Sequence, residues 1–159
     1  GDSHKQFRVM GTTKDYFDKF SYRNDKSLEF TEGTYFEDIF DVNNEKEIDH
    51  ISLSRWADIV LVLPTTANMM TKLSSGKAED LATTVILASN KDVLLVPAMN
   101  VRMWLHKATQ TNLKILQDFG YLFIGPEKGE MACGEFGEGK MSSPRQIYAY
   151  LKNYFNKML

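Results

Sequence analysis

Four short apolar runs punctuate the chain: Phe7 to Met10, Ile59 to Leu63, Val93 to Val96 and Tyr121 to Ile124. Each has the length of a buried strand, and near-continuous apolar character predicts strands covered on both faces. Between these runs the apolar positions fall at helical spacing. Met69, Met70 and Leu73 form one such set, Leu81, Val85 and Ala88 a second, and Leu113, Leu116 and Phe119 a third. Strand and helix therefore alternate, which predicts an α/β fold built as a single-domain, doubly wound parallel sheet with helices on both faces.

The C-terminal segment predicts a helix with a defined start. Ser143-Pro144-Arg145-Gln146 places a hydroxyl at the N-cap, proline at N1 and glutamine at N3. Ile147, Tyr150, Leu151, Tyr154 and Phe155 then line one face. Ser21 to Glu47 shows no sustained period and reads as a long connection with at most a short helix. Gly120, Gly125, Gly129, Gly134, Gly137 and Gly139 crowd the segment after the last strand, which predicts a mobile loop or flap.

Composition narrows the functional classes. The 159 residues carry 19 basic and 21 acidic side chains, so the formal charge of -2 gives no electrostatic reason to bind nucleic acid or an anionic membrane. No apolar run approaches the roughly 20 residues that span a bilayer. The first residues, Gly1 to Lys5, carry no signal-peptide pattern, so the expectation is a cytoplasmic protein. The single cysteine, Cys133, cannot make an internal disulfide, and no metal site is expected.

Two strands end alike, in Pro64-Thr65-Thr66-Ala67-Asn68-Met69 and in Pro97-Ala98-Met99-Asn100. In a doubly wound sheet, ligands bind outside the carboxyl ends of the strands, so both segments would face one crevice. Thr66 and Asn68 offer hydroxyl, amide and helix N-terminal groups to an anion, or they simply cap the following helix. Asn100 has the same two readings. His50 opens a short helix that feeds the strand at Ile59, and is either a surface or core histidine or a catalyst. Cys133 lies among glycines in Gly129-Glu130-Met131-Ala132-Cys133-Gly134, where a thiol either fills space or is exposed enough to react.

Together these segments resemble the flavin-dependent cysteine decarboxylases of the flavoprotein family. Pro97-Ala98-Met99-Asn100-Val101-Arg102-Met103-Trp104 matches the family signature P-x-M-N-x-x-M-W at every fixed position, and Pro64 to Met69 resembles its P-A-S-A-N-T segment. Thr66 and Met69 depart from the Ser and Thr of that pattern. Ala132-Cys133-Gly134 resembles the family's substrate flap, and His50 stands where the family keeps its active-site histidine. The resemblance runs from about Phe7 to Phe155. It implies a Rossmann-like, flavodoxin-like domain over 1–159 that lacks the family's usual first strand, phosphate loop and helix, which are expected before Asp2 in the full polypeptide.

The resemblance further implies FMN as cofactor and 4′-phosphopantothenoylcysteine as substrate, decarboxylated to 4′-phosphopantetheine in coenzyme A biosynthesis. The alternatives within this resemblance are a peptidyl-cysteine decarboxylase and a non-catalytic regulatory subunit. Oxidation of the substrate thiol would create an electron sink β to the carboxylate, so that CO₂ can leave before the thiol is restored. On this basis His50 and Cys133 are the catalytic pair, with Cys133 as the proton donor. Asn100, Met131 and Ala132 bind substrate, and Thr12, Thr13, Thr66, Ala67, Asn68, Met69 and Ala98 bind FMN. Met103 and Trp104 read as packing residues. The resemblance also implies a homotrimer, or a dodecamer of trimers.

Overall fold

The computed structural model describes residues 9–10, 21–22, 26–27, 50–131 and 134–157. In chain order the first elements are β1 (Val9–Met10), the paired antiparallel strands β2 (Ser21–Tyr22) and β3 (Lys26–Ser27), and helix α1 (His50–Trp56). Strand β4 (Ile59–Thr65), helices α2 (Ala67–Ser74) and α3 (Leu81–Ala88), and strand β5 (Val93–Pro97) follow. Helices α4 (Val101–Leu105) and α5 (Lys107–Asp118) lead to β6 (Leu122–Phe123). The chain then forms an antiparallel hairpin of β7 (Glu127–Glu130) and β8 (Phe136–Lys140) and ends in α6 (Pro144–Asn156).

The central sheet has the order β1-β4-β5-β6 and every pairing in it is parallel. Because successive residues of a strand point to opposite faces, the apolar runs of β4 and β5 divide between two cores. Val60, Val62, Val93 and Leu95 face α2, α3 and α5, where Met70, Leu73, Val85, Ile86 and Leu116 complete the packing. Ile59, Leu61, Leu63, Leu94 and Val96 face the other way, onto Ile147 and Phe155 of α6. The predicted doubly covered sheet is thus present, and each of the four predicted apolar runs contributes one of its strands.

The predicted C-terminal cap is also present. Ser143 Oγ accepts the Gln146 N–H, and the Gln146 side chain reaches back to the Ser143 N–H at 2.8 Å. Tyr154 on this helix donates to Asp92 Oδ2 at 2.6 Å, which pins α6 beside the entry to β5. Burial, reinforced by that carboxylate, drives the Tyr154 hydroxyl above its ordinary range.

Two expectations change. Phe119, read as part of the α5 stripe, sits at the C-cap and is 62% exposed, because α5 has ended before its turn reaches the core. The glycine-rich stretch is not an open loop over most of its length. It is the β7–β8 hairpin, laid against α4, and a Cβ on Gly137 would meet Val101 Cγ2 at 2.9 Å, so glycine is what permits this approach. Most of the connection between Ser21 and Glu47 lies outside the described residues.

Candidate functional site

The two singled-out segments lie side by side because they extend from neighbouring parallel strands, with Thr65 of β4 opposite Pro97 of β5. The backbone N–H of Ala98 donates to Thr65 O at 3.1 Å, joining the two loops at their first residues. Thr66 then caps α2, its Oγ1 accepting the Met69 N–H at 3.2 Å. That leaves the hydroxyl proton of Thr66 available as a donor. The N–H groups of Ala67 and Asn68, in the first turn of the eight-residue α2, have no acceptor within the helix. Met69 turns its side chain back to the core, so only its main chain is at the helix start.

Asn100 caps α4 in the same manner. Its Oδ1 accepts the Met103 N–H at 3.0 Å, which fixes the amide so that Nδ2 faces outward. There Nδ2 donates to Glu135 Oε2 at 3.2 Å, across a sequence separation of 35 residues. The hairpin is held to the same place by its backbone, since Met99 donates to Gly139 O at 3.0 Å. Its tip is closed by Met131 N–H to Glu135 O at 2.9 Å and Gly134 N–H to Met131 O at 2.8 Å. A Cβ on Gly139 would lie 3.2 Å from Met131 Cε and collide with Met99 O, so Met131 is seated over the residues that precede α4.

The structure therefore brings together Thr66, Ala67, Asn68, Met69, Ala98, Asn100 and Met131. Thr66 and Asn100 both act as helix caps, so the capping reading holds whatever else they bind. His50 begins α1, which packs on α3 and connects through only two residues to β4. A connection that short turns the helix back along its strand, which directs its N-terminus toward the carboxyl end of the sheet. Thr12, Thr13, Ala132 and Cys133 lie outside the described residues. Trp104 is buried in the core cluster as expected, while Met103 stands 49% exposed. His106 accepts the Ala108 N–H through Nδ1 and so starts α5.

Sequence reading missed Glu135. Its carboxylate sits on the amide assigned to substrate, yet no local pattern joins it to Asn100; only the fold over of the hairpin does. Among the described residues, no group of three or more His, Cys, Asp and Glu side chains could hold a metal ion, and no helix is long and apolar enough to cross a membrane.

The donor set suits a ligand rich in carbonyl and phosphate oxygens: free helix N–H groups, a threonine hydroxyl and an oriented amide. The chain is 43% identical over 117 residues to the coenzyme A biosynthesis bifunctional protein CoaBC of Vibrio cholerae, covering 74% of this chain and 29% of that one. It is 40% identical over 120 residues to CoaBC of Bacillus subtilis, covering 76% and 30%. The chain thus spans less than a third of the length of these relatives. Among solved structures, a PPC decarboxylase variant in complex with pantothenoylaminoethenethiol superposes with a TM-score of 0.78 at 25% identity, covering 96% of this chain and all of that one. The FMN-binding protein AtHal3 shares the fold with a TM-score of 0.76 at 24% identity, covering 96% and 98%. The Flavoprotein family model matches residues 7–156, nearly the whole length, and with the strand-end loops seated as described, this chain belongs to the Flavoprotein family.

Proposed function

We propose that this chain decarboxylates 4′-phosphopantothenoylcysteine to 4′-phosphopantetheine with FMN as cofactor, as a step in coenzyme A biosynthesis. The observation that carries the reading is the meeting of the Pro64 to Met69 and Pro97 to Asn100 segments at adjacent strand ends, with the Met131 hairpin against the second of them. When bound, FMN supplies the reversible oxidation of the substrate thiol that makes CO₂ loss feasible. The residues present fit that group: the Ala67 and Asn68 N–H groups and the Thr66 hydroxyl are donors for its oxygens, with Met69 and Ala98 beside them and Thr12 and Thr13 assigned to the same task.

The chain's own residues divide the remaining work. Asn100, its amide fixed by Met103, donates to the substrate carboxylate and orients the bond to be broken. His50 acts as a base or positions that carboxylate, and Cys133 protonates the carbanion equivalent after CO₂ has gone. Met131 and Ala132 are assigned to substrate binding. The exposed apolar side chains of Met103, Leu105 and Phe136 support assembly into a homotrimer, or a dodecamer of trimers, and a cytoplasmic setting suits such a soluble biosynthetic role.

The test is direct. Protein purified in the presence of FMN is expected to show the visible absorbance of a bound oxidised flavin. With phosphopantothenoylcysteine it should release CO₂ and phosphopantetheine in equal amounts. A colourless preparation that stays inactive with added FMN would rule the proposal out.

A further inference from the structure

Strand β4 does not keep even register with β5. Val62 stands opposite Leu95 but Thr65 stands opposite Pro97, so three steps along β4 are set against two along β5. The extra residue falls at Leu63-Pro64, and Pro64 has no N–H to give to a ladder. Such a bulge breaks the regular alternation of donors and acceptors between the strands.

Thr65 repairs the break with its side chain. Its hydroxyl accepts the Val96 N–H at 3.1 Å and donates to Val62 O at 2.7 Å, using both functions of the group. The residue is completely buried, so no water competes for these bonds. Its carbonyl accepts the Ala98 N–H at 3.1 Å. One residue therefore ties the strand ahead of the bulge, the strand beside it and the first residue of the neighbouring loop. Thr66 follows it directly, and Ala98 to Asn100 hang from the strand it holds.

We propose that Thr65 is a positioning residue for the candidate site: its buried hydroxyl sets the place of the Thr66–Met69 loop against that of the Ala98–Asn100 loop. The inference rests on the flavin reading above only for its ligand, since the loop geometry is separate from it. Thr65→Val keeps the shape but strands the Val96 N–H without an acceptor, whereas Thr65→Ser restores the hydroxyl.

Two measurements decide it, both made well below the melting temperature so that only folded protein is compared. In Thr65→Val, amide hydrogen exchange at Met69, Val96, Ala98 and Met99 is expected to quicken at least about tenfold while amides of α5 stay unchanged, and FMN is expected to bind about tenfold more weakly. Thr65→Ser is expected to bring both back to near the wild-type values. A role confined to packing predicts faster exchange at Val96 alone, unchanged FMN affinity and a serine variant no better than valine; any of these in the folded protein overturns the proposal. Should the valine variant not fold, Thr65→Ala is read against the same outcomes. If the wild-type protein binds no FMN, the flavin reading falls, and the exchange pattern alone decides on Thr65.

Discussion

Asp80 shows how much one side chain can hold in this fold. Its carboxylate caps α3 by accepting the Thr83 N–H at 2.8 Å and pairs with Lys72 Nζ of α2 at 2.8 Å. Burial pushes its carboxyl up, but the Lys72 hydrogen bond, the Thr83 N–H and hydroxyl and the Lys72 charge outweigh that, so it lies below the usual aspartate range. A folded-state value below the unfolded one means that the stabilisation is fully present above about pH 4 and is lost as pH falls through the folded value. Asp80→Ala should therefore lower stability by about 1 kcal/mol at pH 7, the usual cost of losing such a cap, with a deficit that shrinks toward pH 3. Urea unfolding at the two pH values measures it, and an equal deficit at both would refute the electrostatic part. Thr66 and Asn100 carry a similar double demand, since each caps a helix with the oxygen that orients its remaining donor.

At the scale of elements, the hairpin β7–β8 owes its place to glycine. Gly139 adopts a φ of 142°, and a Cβ there would strike Met99 O, the residue whose N–H it binds. Gly76 also has positive φ, at 66°, but nothing lies within 4 Å of a Cβ there. Gly139→Ala should lift the hairpin from α4 and open residues 127–140 to limited proteolysis, whereas Gly76→Ala should carry only the backbone cost of about 1 kcal/mol. Equal protease sensitivity in the two variants would show that the close approach at Gly139 does not hold the hairpin. This element also marks where sequence reading stopped. The strands, the α6 cap and the two motif loops are visible locally, because apolar runs and capping residues act over a few positions. The hairpin is polar and glycine-rich, so its pairing carries no hydrophobic period, and its contact with Asn100 joins residues far apart in the chain. The bulge at Pro64 escaped for the same reason: its repair depends on Val96, 31 residues away.

At the scale of the molecule, the parallel sheet separates, among the described residues, two cores that share strands but not side chains. Leu63 belongs to the α6 side and Leu116 to the side of α2, α3 and α5, and both are buried. Each change to alanine should destabilise by about 2–5 kcal/mol. The double variant should equal the sum of the two within about 0.5 kcal/mol, because the sheet keeps the cavities apart. Leu95 and Leu116 share one cluster, so their double variant should depart from additivity, and chemical denaturation of the three single and two double variants beside the wild type would expose any failure of this contrast. For the history of such a chain, the division means that substitutions can accumulate behind the sheet, against α6, without compensating changes in front of it. A protein engineer could likewise rebuild the α6 face wholesale while leaving untouched the helices that carry the strand-end loops.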